Sequence, residues 1–228
     1  RPVIDGLFSN WAAENVKPGQ TLSVMPPEGR FTVKKARALH RVGFAAGSGI
    51  TPILSIAATT LEEQPESKFT LVYGNRRMSS VMFNEALQDL KDRYAGRFTM
   101  IHILSRQAQE VDLLQGRIDA EKVQALVDAL LPAKSMDEVF ICGPEAMIDA
   151  TTDALVKAGV PENRVYSERF ATSPAQAAKI QADSDAAESK VAATKDKLMT
   201  VVLDGKEYEI PVSEDDHLLD AALDAGLD

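Results

Sequence analysis

Apolar residues gather into five short runs between residues 42 and 167, and helical patterns separate them. The runs at 42–46, 69–73, 98–104, 138–142 and 164–167 each have the length of one strand. Between them, 52–63, 80–94, 119–131 and 145–158 repeat at helical spacing. Ile53, Leu54, Ile56, Ala57 and Leu61 form one apolar stripe. Val81, Leu87, Leu90 and Tyr94 form a second, and Val123, Leu126, Val127 and Leu130 a third. Strands alternating with helices predict right-handed crossovers and a parallel sheet covered on both faces. The fold class read from this pattern is α/β, with a five-stranded parallel sheet forming a nucleotide-binding domain.

The flanks follow other patterns. Residues 1–34 read as β-structure with one short helix, for which Ser9 suits the N-cap. Lys17-Pro18-Gly19-Gln20 reads as a turn, 21–24 as a strand, and Pro26-Pro27 as its end. Residues 172–197 are rich in Ala, Asp, Lys, Ser and Gln and read as a solvated linker. Strands at 198–203 and 207–212 flank an Asp204-Gly205 turn, and a helix begins near Leu218. The expected division is therefore 1–36, 37–171, a linker at 172–197, and 198–228. The chain starts at Arg1 and stops at Asp228 within a helical pattern, so the expectation is a piece of a longer protein.

Composition narrows the function. Among the 228 residues, 45% are hydrophobic and 26% charged, as in a soluble globular protein. The net charge of −9 argues against general nucleic-acid binding, which needs a basic face. No run of about 18 apolar residues predicts a membrane span. Cys142 is the single cysteine, so no internal disulfide can form, which suits the cytoplasm.

In open parallel sheets, ligands bind beyond the carboxyl ends of the strands. The informative residues stand there. Gly47-Ser48-Gly49-Ile50-Thr51-Pro52 follows the first strand and opens a helix. A glycine turn of this kind brings backbone N–H groups to an anion at a helix N-terminus. Gly47 and Gly49 equally suit a tight strand-to-helix corner, and the third glycine of the common dinucleotide fingerprint is absent. Gly74-Asn75-Arg76 follows the second strand and Ser105-Arg106 the third. Ser105 and Arg106, with Arg76 or Arg117, form a candidate phosphate clamp, because arginine offers planar paired donors. A 2′-phosphate explains arginines where a ribose hydroxyl would call for an acid. The same arginines also suit surface ion pairs. Cys142-Gly143-Pro144 follows the fourth strand. Cys142 has no histidine beside it and reads as a small buried residue rather than a nucleophile. His40, His102 and His217 share no metal-ligand spacing, and Met78, Met82 and Met100 read as core.

In this order, Gly47 to Pro52, Tyr73-Gly74-Asn75-Arg76, Ser105-Arg106 and Cys142-Gly143-Pro144-Glu145-Ala146-Met147 resemble the NADP-binding domain of the ferredoxin–NADP reductase family. Residues 1–34 resemble the end of that family's flavin-binding barrel. Gly6 and Ser9 match its Gly-x-x-Ser segment, which holds the FAD pyrophosphate. Residues 198–228 resemble the start of a plant-type β-grasp ferredoxin domain. Together with Leu104-Ser105-Arg106 and Gly116-Arg117-Ile118-Asp119, this is most similar to the reductase components of phenylacetyl-CoA epoxidase complexes.

The resemblance implies an NADPH-dependent oxidoreductase that passes electrons through FAD and a [2Fe-2S] cluster to a partner oxygenase in aromatic degradation. It implies cofactor contacts from Gly6, Ser9, Gly47, Gly49, Thr51, Pro52, Asn75, Arg76, Ser105, Arg106, Arg117, Cys142, Gly143, Pro144, Met147 and Phe170. Thr51, Cys142 and Glu168 would stand nearest the hydride transfer. Phe170 would lie near the flavin or else pack in the core. Two departures stand out. The family's flavin motif Arg-x-Tyr-Ser is absent, and the four cluster cysteines are absent, so no metal ligands are expected in these residues. Two other readings remain open: an FMN-dependent reductase of the phthalate-dioxygenase type, and a nucleotide-binding module without redox activity.

Overall fold

A computed structural model describes residues 6–33, 39–170, 197–203 and 206–212. The chain divides into two units, Glu28–Phe170 and a second made of Arg1–Pro27 with Ala171–Asp228.

Helix α1 (Leu7–Asn15) belongs to the smaller unit. Gly6 is its N-cap, with no side-chain capping bond, so Ser9 lies inside the first turn rather than at the cap. Residues 21–24 form no strand and run exposed, Val24 and Met25 above all. A strand needs a partner ladder, and none pairs with this segment among the described residues.

The larger unit carries the sheet. Its strands are β1 (His40–Ala46), β2 (Lys68–Asn75), β3 (Phe98–Leu104), β4 (Glu138–Cys142) and β5 (Val165–Glu168). They are all parallel, in the order β3-β2-β1-β4-β5. The chain winds outward from β1 through β3, then returns to the other side of β1 for β4 and β5. The order therefore reverses between β1 and β4. Strand β1 is buried at five successive positions, as a strand covered on both faces must be.

Helices α2 (Ile50–Glu63) and α3 (Asn84–Arg93) cover one face, with Ile53, Leu61, Leu87 and Phe140 in that core. Helices α4 (Ala120–Ala129) and α5 (Glu145–Lys157) cover the other, with Phe44, Val72, Leu126 and Leu155. Phe140 is nearly fully buried between the rings of Phe31 and Tyr166, at centroid distances of 5.5 and 5.2 Å. Its truncation to alanine would cost about 3–5 kcal/mol.

Three helical details depart from the pattern. Phe83 has φ +58°, a left-handed value that cannot continue a helix, so α3 starts at Asn84 and Met78–Ser80 forms a separate 3-10 turn. That turn leaves Met78 and Met82 exposed rather than in the core, whereas Met100 packs against it. Helix α4 ends at Ala129, so Leu130 is exposed and Leu131 takes the buried place.

In the smaller unit, β6 (Lys197–Leu203) pairs antiparallel with β7 (Lys206–Val212). Leu203 pairs with Lys206, which leaves room for a two-residue connection. Residues 204–205 themselves, 172–196 of the linker expected at 172–197 and the helix expected from Leu218 lie outside the described residues, and Lys197 opens β6 instead. Alternation along the hairpin buries Ile210 and Val212 and exposes Leu198 and Val202. Neither a flavin barrel nor a complete ferredoxin fold is visible among the described residues.

Candidate functional site

Chain leaving β1 turns at Gly47, whose φ of +52° is left-handed and favours glycine. The turn is a single 3-10 turn, Gly47–Gly49, running straight into α2. Gly49 is glycine for a different reason. A Cβ there would stand 2.1 Å from the carbonyl oxygen of Cys142, a backbone atom that cannot move aside. The start of α2 is thus pressed on the carboxyl end of β4, at the place where the strand order reverses. Gly49 is buried, while Gly47 and Ser48 are exposed, and a Cβ at Gly47 would meet nothing within 4 Å.

No side chain caps α2. The Thr51 hydroxyl donates to Ser48 O (3.0 Å), and Pro52 has no N–H to leave unpaired in the first turn. First-turn amides and the helix dipole are thereby offered to an anion. An open glycine corner at an uncapped helix N-terminus fits the phosphates of a nucleotide.

Tyr73 holds this corner from below. Its side chain is buried, and its hydroxyl donates to Gly47 O at 3.1 Å. Burial raises the Tyr73 pKa, while the Asn75 side chain and the Met82 backbone N–H favour the ionised form. The buried Asn75 amide nitrogen influences that hydroxyl without closing a hydrogen bond of regular geometry. It is a buried donor at the end of β2.

A second corner forms where β2 and β3 end. Ser105 N–H donates to Asn75 O (3.0 Å) and Arg106 N–H to Arg76 O (2.9 Å), which prolongs the ladder into the loops. Gly116 N–H donates to Leu104 O (2.8 Å) and returns the next loop to the same strand end. Met78 N–H donates to Gln107 Oε1 (2.8 Å). These bonds set the backbones of Arg76, Ser105 and Arg106 side by side and bring Gly116, next to Arg117, to the same strand end, although they are far apart in sequence. Arg106 and Arg117 are exposed and Arg76 is half-buried. Arg77 and Gln107 belong to this corner too. Arg77 was signalled only as a second arginine after Asn75, and Gln107 by nothing in the pattern.

At the end of β4, Cys142 pairs in register with Ala45 on one side and Glu168 on the other. Its thiol is buried. Burial first, and Glu168 second, push it up to about 11, so it stays a neutral thiol. A nucleophile needs the opposite shift. The Met147 side chain lies over Gly143, its Cε 2.8 Å from where a Cβ would stand. Pro144 opens α5. Glu168 is half-buried at the end of β5. Arg169 bonds to Glu145 and Asp149 of α5. Phe170 is 48% exposed, so core packing is not its place.

Two groups of the expected residues are therefore gathered on one rim of the sheet. Gly47, Gly49, Thr51, Pro52, Cys142, Gly143, Pro144, Met147 and Glu168 surround the β1/β4 reversal. Asn75, Arg76, Ser105, Arg106 and Arg117 stand at the ends of β2 and β3. Gly6 and Ser9 belong to the other unit, at the start of α1. No group of three or more His, Cys, Asp or Glu side chains suited to a metal occurs among the described residues. No helix among them is long and apolar enough to cross a membrane.

Residues 44–153 match the oxidoreductase NAD-binding domain family. The chain is 44% identical over 226 residues to a component of the 1,2-phenylacetyl-CoA epoxidase of Escherichia coli (strain K12), covering 98% of this chain and 61% of that protein. It is 37% identical over 229 residues to the 3-ketosteroid-9-alpha-monooxygenase ferredoxin reductase component of Rhodococcus rhodochrous, covering 98% of this chain and 60% of that protein. Among solved structures, the flavohem-like FAD/NAD binding domain of nitric oxide dioxygenase from Vibrio cholerae O1 biovar El Tor superposes with a TM-score of 0.60. That match has 25% identity and covers 72% of this chain and 65% of that one. The chain spans about three fifths of the length of the two relatives. Its five-stranded nucleotide-binding domain matches NAD-binding oxidoreductases of the ferredoxin–NADP reductase type.

Proposed function

We propose that this chain holds the nucleotide-binding part of an NADPH-dependent flavin reductase that supplies electrons to an oxygenase component. One observation carries the NADPH reading. Backbone hydrogen bonds set Arg76 beside Ser105 and Arg106 and bring Gly116, the neighbour of Arg117, to the same place, where β2 and β3 end. A reader of an unphosphorylated ribose needs a carboxylate there, whereas guanidinium groups and a serine hydroxyl suit a 2′-phosphate. The oxygenase reading is supported by the names of the two relatives, a component of an epoxidase and the reductase component of a monooxygenase. The phenylacetyl-CoA system is the finer proposal, and the cytoplasm, which suits a lone thiol, its setting.

A bound nicotinamide supplies a hydride and a bound flavin accepts it. The residues of this chain position them. Gly47, Ser48 and Gly49 offer backbone to the pyrophosphate, with Thr51 and Pro52 shaping the first turn of α2. Cys142, Gly143, Pro144 and Met147 would border a bound nicotinamide, and the neutral Cys142 thiol would bring no charge to it. Glu168 ends β5 and Phe170 follows two residues later, and these two would be this unit's contacts to a bound flavin. Gly6, the N-cap of α1, and Ser9, in its first turn, would be the FAD pyrophosphate contacts. A [2Fe-2S] centre takes about four thiolates, and these 228 residues hold one buried cysteine, so they do not fit the cluster and no step is assigned to it.

Calorimetry with 2′-AMP and NADP tests the reading. Arg106→Ala loses a charge-assisted contact, on the order of 1.5–3 kcal/mol of 2′-phosphate binding, with NAD binding unchanged. Equal 2′-AMP affinity in both proteins removes Arg106 from the site. Stronger NAD than NADP binding by the unaltered chain overturns the NADPH preference.

A further inference from the structure

We propose that Tyr73 is a positioning residue for the dinucleotide pyrophosphate, acting through the peptide that joins Gly47 to Ser48. This rests on the nucleotide reading of the glycine corner given above. The Tyr73 hydroxyl donates to Gly47 O at 3.1 Å from a side chain with no exposed surface. In a planar trans peptide, C=O and N–H point in opposite directions. No peptide in the described chain is cis. Fixing the Gly47 carbonyl on Tyr73 therefore fixes the Ser48 N–H in the direction away from Tyr73. Gly47 and Ser48 are the exposed residues of this corner and Gly49 the buried one, so that direction leads out of the fold.

The anchor is needed because Gly47 is left-handed at φ +52° with nothing within 4 Å of its side-chain position. Glycine has no side chain to pack there and is the residue with most freedom to leave that conformation. Ile50 N–H donates to the same carbonyl from within the turn. The Tyr73 bond is the contact from outside it, across 26 residues of chain. The hydroxyl also takes hydrogen-bonding influence from the Met82 backbone and the Asn75 side chain. One phenol thus links the pyrophosphate turn to the loop that carries Arg76 and leaves the 2′-phosphate corner itself to the backbone ladder.

The test uses the full chain and its Tyr73→Phe variant, titrated by calorimetry with NADP and with 2′-AMP, which has no pyrophosphate. The expected result is NADP binding weakened about three- to tenfold, the size of one net hydrogen bond, with 2′-AMP binding unchanged. In the unaltered chain, the Ser48 amide resonance shifts on adding NADP and stays in place on adding 2′-AMP. That reading is independent of how the variant folds. Equal NADP affinity in the two proteins, or an equal loss for both ligands, overturns the positioning role while the nucleotide reading stands. Absence of NADP binding to the unaltered chain instead overturns the nucleotide reading on which the proposal rests.

Discussion

The two rims of the five-stranded sheet are made of the same backbone and differ in how their polar groups are used. On the amino rim, Arg41, His40 and Arg97 are spent on the protein itself. Arg41 is fully buried and donates to Glu138 Oε2 (2.8 Å) and Gln64 Oε1 (2.6 Å). His40 bonds to the Ser135 carbonyl and the Thr70 hydroxyl, both at 2.9 Å. Arg97 donates to the carbonyls of Leu61, Gln64 and Ser67, which closes the C-terminal end of α2. On the carboxyl rim, glycine replaces side chain, α2 starts uncapped, and the Asn75 amide closes no regular bond. Groups satisfied internally stabilise the fold. Groups held in place but left open are what a ligand can use.

If this division is right, the largest stability loss comes from the rim that binds nothing. Glu138→Ala leaves a buried guanidinium without its carboxylate and should cost about 3–5 kcal/mol, read from urea unfolding. Replacing Arg41 and Glu138 together by leucine should recover most of it, because the pair itself adds little over apolar packing. A loss below about 1 kcal/mol for Glu138→Ala would erase the contrast between the rims.

On the carboxyl rim, the two glycines separate packing from conformation. Gly49→Ala drives a Cβ into the Cys142 carbonyl, 2.1 Å away, and should cost about 1–3 kcal/mol. It should also weaken NADP binding, because α2 must lift off β4. Gly47→Ala meets no atom and bears only the left-handed strain of about 1–2 kcal/mol. Paired thermal melts check both, and a clean Gly49→Ala with a collapsed Gly47→Ala would reverse their assigned roles.

What was legible in the chain followed from local physics. The five strands and four covering helices stand close to the apolar runs, because burial on both faces writes itself into consecutive residues. The strand-end motifs were legible because parallel topology sends ligands to that rim. The two glycines were read as one device, yet Gly47 serves a backbone angle and Gly49 a contact with a residue 93 positions later. Arg41–Glu138 and Tyr73–Gly47 were invisible for the same reason, since pairing across the sheet leaves no mark in spacing. The segment at 21–24 has the residues of a strand, but a strand is defined by its neighbour. Met78 and Met82 were misplaced because Phe83 takes a left-handed conformation that no pattern announces.

The smallest expected effect concerns two histidines that differ as the rims do. Burial lowers the pKa of both His40 and His102 below the ordinary histidine value. For His40 the Ser135 carbonyl bond and the nearby Asp137 act against burial. His102, on β3 beside the Tyr73 ring at 6.1 Å, has both ring nitrogens buried without a hydrogen-bond partner. Nothing there opposes the cost of burial. A histidine whose folded pKa is lowered takes up its proton first in the unfolded chain. Stability is then complete above the ordinary histidine value of about 6.5 and falls as pH drops below it. His102→Phe should flatten that acid-side decline between about pH 7.5 and 5.5 without lowering stability at about pH 8, since it removes two unsatisfied nitrogens and keeps a ring in place. His40→Phe should lower stability at every pH, through two lost hydrogen bonds, and flatten the slope less. Urea midpoints across this range separate them, and an equal change of slope in both variants would show that hydrogen bonding on the amino rim gives His40 no protection.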